Sequence, residues 1–73
     1  MQSERGVITA VQEGRFRLLT DSGRVLLLVL SHKAVLEPQD LPQLQAAAVR
    51  VRVDCIASEH LIAAIAHHIE IEE

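Results

Sequence analysis

Over much of this chain apolar and polar residues alternate with a two-residue period, the spacing that sends successive side chains to opposite faces of a strand. The cleanest stretch is 49–56: Val49, Val51, Val53 and Cys55 share one face, and Arg50, Arg52, Asp54 and Ile56 the other. Residues 15–20 repeat the pattern, with Arg15 and Arg17 on one side and Phe16 and Leu18 on the other. Residues 5–12 are rich in β-branched side chains and end at Glu13-Gly14, where glycine can supply the positive φ of a tight turn. Asp21-Ser22-Gly23 lies between two apolar runs and predicts a hairpin, which makes the first three strands a meander.

The third predicted strand, Arg24–Ser31, differs from the others. From Val25 to Leu30 it is apolar on both faces, as expected of a strand covered on both sides. Downstream, Glu37-Pro38-Gln39-Asp40-Leu41-Pro42 predicts a short helix near 40–47. There Asp40 can cap, Pro42 can sit in the first turn, and Leu41, Leu44 and Ala48 can share a face. Residues 61–72 fit two templates. Leu61, Ile62, Ile65 and Ile69 suit a helical stripe, whereas Ile69-Glu70-Ile71-Glu72 alternates as a strand. The strand is the expectation, because a short connection from strand four favours a hairpin and a barrel needs a closing partner.

This predicts a mainly β domain, a five-stranded Greek-key barrel with one short helix between strands three and four, filling residues 1–73. The order β-β-β-α-β-β, with Gly6 opening strand one and Gly23 in the second hairpin, resembles an OB-fold. Within that class the layout Gly6-x-Ile8-x-x-Val11, Phe16-Arg17, Asp21-Ser22-Gly23-Arg24-Val25 and Ser31-His32-Lys33 resembles the S1-type barrels, which include the small bacterial translation initiation factor. Strand count and helix position also suit an SH3-like or other small barrel. The S1 resemblance implies single-strand binding by aromatics on strands two and three, where each stacked base is worth about 1–3 kcal/mol. Phe16 is the only aromatic, and its alternation places it inside, which leaves no ring for stacking.

Composition narrows the function classes. The 73 residues suit one domain, and the aliphatic content is ample for a core. The formal charge of -3 is unevenly spread: 4–36 is net basic, 37–73 net acidic, and Glu70, Glu72 and Glu73 account for the whole excess. An acidic balance, with a pI near 5.7, argues against a dedicated phosphate-backbone binder. A lone Cys55 cannot form an internal disulfide. No secretion-signal pattern opens the chain, and the longest apolar runs, Val25–Leu30 and Leu61–Ala66, are far short of a roughly 20-residue span. An intracellular, cytoplasmic location without membrane insertion is expected.

Two surfaces are candidates for function. In an OB-like barrel strand one pairs with strands two and four, so Arg15 and Arg17 would flank it on one side and Arg50 and Arg52 on the other. Four arginines in one band could bind phosphates, with a salt slope of about -2.8 on a single strand. The plainer alternative is a solvated strand face kept polar. Strands three and five are neighbours in this topology, so one alternate set of strand three would lie outside. Leu26, Leu28 and Leu30 are expected there beside Ile62, Ala64 and Ala66, as an apolar exterior that a protein partner or a second copy would cover. A register slip of one residue would exchange the faces.

Other chemistry is sparse. His32, His60, His67, His68 and Cys55 show no CxxC or HxxxH spacing, so no metal site is expected, and Cys55 falls in an inward set. No phosphate loop, nucleophile elbow or carboxylate pair appears, and no cofactor or small-molecule substrate is implied. The expectation is a non-enzymatic module for protein contact or self-association, with weak single-stranded RNA binding as the alternative.

Overall fold

The computed structural model describes residues 2–57 and 63–72. Its elements are β1 (Gln2–Gln12), β2 (Arg15–Thr20), β3 (Val25–Leu30), a 3-10 turn (Pro38–Asp40), α1 (Leu41–Ala47), β4 (Arg50–Ala57) and β5 (Ala64–Ile71). The strands close into a barrel in the order β1-β2-β3-β5-β4, with β4 returning to β1. All pairings are antiparallel except β3 with β5, which run parallel. This mainly β architecture, with one short helix between β3 and β4, is the predicted one and is compatible with an OB-like small barrel. No helix among the described residues is long and apolar enough to cross a membrane.

Closure explains the length of β1. It extends upstream of the predicted start, because Gln2–Val7 pair with Arg50–Cys55 of β4 while Gly6–Gln12 pair with β2. A bulge between Ile8 and Ala10 lets one strand serve both neighbours, bending where it passes from one to the other. At Gly6 the backbones of β1 and β2 come so close that a Cβ would lie 2.0 Å from the Leu19 carbonyl oxygen. Only glycine fits there.

Inward side chains alternate along β2, β3 and β4, whereas on β5 a bulge opposite Asp54–Cys55 sets the inward Ala66 and Ile69 three residues apart. Ile8, Phe16, Leu18, Leu28, Val51, Val53, Cys55, Ala66 and Ile69 fill the barrel, and Leu41 of α1 joins them. Full burial of such aliphatic side chains stabilises by roughly 1.5–3 kcal/mol each. Residues 64–71 form a strand, with Ile69 opposite Val53 and Ala66 opposite Cys55.

Three local expectations change. The positive φ of the β1–β2 turn falls on Glu13 (φ 57) and not on Gly14. Asp40 does not cap α1 with its side chain; its carboxylate accepts the Glu37 N–H at 3.1 Å, closing the preceding 3-10 turn. Ala48 is exposed and left-handed (φ 52) at the helix C-cap, so it does not share the buried face of Leu41.

Candidate interaction face

The hairpin turn fixes which side of β3 faces out. Thr20, buried at the turn, ties it together: its N–H donates to the Arg24 carbonyl (2.8 Å) and its Oγ1 accepts the Arg24 N–H (3.1 Å). Gly23, at φ +90, donates to the Thr20 carbonyl. This turn sets Leu18 opposite Leu26, Arg17 opposite Leu27, Phe16 opposite Leu28 and Arg15 opposite Val29. Directly paired residues share a face, so the inward Phe16 draws Leu28 inward and the outward arginines bring Leu27 and Val29 with them.

The predicted apolar exterior is therefore shifted by one residue. Leu28, Leu30 and Ala66 are buried in the core, and Leu26 and Ala64 are partly buried against it. Ile62 lies outside the described residues. The outward set of β3 is Val25, Leu27 and Val29, with Val25 62% and Leu27 42% exposed. Leu19 on β2, paired with Val25, extends the apolar row, as do Ile65 on β5, paired with Val29, and Ile56 on β4, paired with Ile65.

The arginines divide into two groups. Arg50 pairs with Asp21, whose hydrogen bond and charge raise its pKa further above the ordinary arginine range. Arg52 Nη2 lies 2.5 Å from Glu70, and its Nε, 3.7 Å from Asp54, has no hydrogen-bond partner among the described residues. Arg5 on β1, directly opposite Arg52, pairs with Glu72 at 2.7 Å, and Arg24 reaches Glu4 at 3.4 Å. Arg15 and Arg17, by contrast, have no carboxylate within ion-pair distance among the described residues. The expected band is thus two unpaired arginines beside the apolar row and two neutralised ones across β1.

At the end of β3 the face runs into a groove of about 420 Å³ between the β1–β2 turn and residues 31–38. Val29, Leu30, Ala34 and Leu36 supply apolar walls, and Arg15, His32 and Glu37 stand among the lining residues. The Leu30 N–H donates to the Gly14 carbonyl at 2.7 Å, fixing the β1–β2 turn against β3. Sequence patterning did not reveal this groove, since the segment after Ser31 has no periodicity. A second hollow of about 290 Å³ is lined by Glu4, Arg5, Asp21 and Arg50, all of them already ion-paired.

Cys55 is buried as expected, and burial foremost, with the charges of Glu4 and Asp54, raises its thiol pKa. Among the described residues no three His, Cys, Asp or Glu side chains cluster as metal ligands would. No protein-family description matches the chain, and none of the curated proteins compared with it is a significant relative.

Proposed function

We propose that this chain is an OB-like, non-enzymatic binding module that contacts another protein through the exterior of β2 and β3. One observation carries this: the outward row Leu19, Val25, Leu27 and Val29 lies beside Arg15 and Arg17, which among the described residues have no carboxylate partner, while the other arginines are matched by carboxylates. Solvent-facing aliphatic side chains on adjacent strands mark interaction surfaces when they are contiguous. Charges at the margin of such a patch set orientation and encounter rate. In OB-folds generally the same strands carry the ligand face.

A second function, binding of single-stranded RNA, draws support from Arg15 and Arg17, which have no ion-pair partner among the described residues. Two phosphate contacts would give a salt slope of only about -1.4, and no aromatic ring is available on the face. Amide NMR on the whole chain separates the two. Under the protein-contact reading, the amides of Leu19, Val25, Leu27 and Val29 move when the protein is concentrated or given a peptide partner. Leu27→Glu removes those shifts and keeps a dispersed spectrum. Shifts produced by oligouridine alone, or no shift on this face under any condition, overturn it.

A further inference from the structure

The groove after β3 gives the face a direction and a chemistry. Its walls are mostly apolar, with Arg15, His32 and Glu37 also lining it, so an apolar side chain fits it and a carboxylate belongs over the outward arginines; its volume lies toward the low end of the roughly 300–1,000 Å³ typical of ligand pockets. It is continuous with the face, because Arg15 and Val29 belong to both. Val35, between the lining residues Ala34 and Leu36, is 91% exposed and adds an aliphatic side chain beside it.

Charge decides among the possible occupants. The outward positions of β2 and β3 are Arg15, Arg17, Leu19, Val25, Leu27 and Val29, with no carboxylate among them. A second copy docking this face on itself would gather four arginines around an apolar centre with no counter-charge, which disfavours it. A nucleic acid would find phosphate donors but no stacking platform, since Phe16 is 1% exposed. A segment carrying both carboxylates and apolar side chains satisfies both halves of the face.

We propose, building on the protein-contact function, that the face and groove bind an extended acidic segment of another protein. Its carboxylates sit at alternate positions over Arg15 and Arg17, and a neighbouring apolar side chain enters the groove. The spacing matches: residues two apart on a strand lie roughly 7 Å apart on one face, in β2 and in an extended ligand alike. Each arginine presents a planar fork suited to a carboxylate. The groove supplies the apolar contact that two exposed ion pairs alone would lack.

The test is fluorescence anisotropy of the full chain with three labelled probes: a peptide alternating glutamate with leucine and ending in phenylalanine, its lysine counterpart, and a short oligouridine. The acidic peptide binds and the lysine peptide does not. Arg15→Glu with Arg17→Glu weakens binding at least about tenfold. Two variants fill the groove independently. Ala34→Trp acts from its wall, and Gly14→Trp from the turn, where an added Cβ meets nothing within 4 Å; circular dichroism checks that each variant keeps the folded barrel. Each weakens the acidic peptide about tenfold, a loss of the size expected when an apolar anchor is displaced. Equal binding of both peptides, or binding indifferent to the arginine reversal, overturns the proposal. Oligouridine binding abolished by that reversal, with no peptide binding, makes the face a nucleic-acid site. Acidic-peptide binding lost in Leu27→Glu but intact in both tryptophan variants removes the groove and leaves the β2–β3 face. Absence of peptide binding while protein concentration still shifts the Leu27 amide overturns the acidic occupant but not the protein-contact function.

Discussion

At the scale of single residues the barrel depends on places where one atom decides. Gly6 is one. Its missing Cβ is the space through which β1 passes the Leu19 carbonyl, and backbone atoms cannot yield as a side-chain tip could. Gly6→Ala is expected to destabilise by about 3 kcal/mol or more, measured by urea unfolding, whereas Gly14→Ala, with open space around it, stays near the parent. Cys55 is another. Its folded pKa is raised, so the folded state holds the thiol proton to higher pH than the unfolded chain, whose thiol ionises near 8.5. The stability this contributes is fully present below that pH and is lost as pH rises from there through the folded pKa. Thermal unfolding between about pH 8 and pH 10 should show a decline that Cys55→Ala abolishes; an equal decline in both proteins would exclude Cys55 as its cause.

At the scale of elements β3 is the informative strand. Because Leu28 is fully buried opposite Phe16 while Leu27 faces out opposite Arg17, the same substitution at adjacent positions should have opposite results. Leu28→Glu places an unpaired carboxylate in the core and unfolds a domain whose whole stability is about 4–11 kcal/mol. Leu27→Glu keeps the circular dichroism of the folded barrel and, under the proposed function, loses the partner. If Leu28→Glu folds and Leu27→Glu does not, the β2–β3 register is wrong. The inward faces of β2 and β4 were legible because they alternate, and the helix position because Pro42 marks its first turn, whereas the start of β1 was not. The face of β3 was not legible from its own residues, since a run of six aliphatic positions carries no phase. The phase comes from Phe16 through the hairpin, a constraint that had to be carried across Asp21-Ser22-Gly23 to be seen. The groove was illegible for a different reason: it is formed by a turn and an aperiodic segment that only the closed barrel brings together.

At the scale of the whole molecule the charges form two systems. Arg5 and Arg52 stand directly opposite each other across β1 and β4, a like-charge juxtaposition that destabilises a sheet unless it is compensated. Glu70, directly opposite Arg52 on β5, and Glu72 just beyond that strand compensate it, so these two acidic residues read as a brace and not only as a solvated end. Among the described residues Arg15 and Arg17 take no part in this brace, and the proposed function assigns them to a ligand. Glu70→Gln combined with Glu72→Gln should therefore lower unfolding free energy by about 1 kcal/mol at low ionic strength, a modest figure because both pairs are partly solvated. The loss should shrink in molar salt, where the screening length falls to about 3 Å. Arg15→Gln combined with Arg17→Gln should change stability by less than about 0.5 kcal/mol at either ionic strength while removing acidic-peptide binding. A stability loss from the second pair equal to that from the first would mean that Arg15 and Arg17 serve the fold, and the separation between a bracing set and a binding set of arginines would not hold.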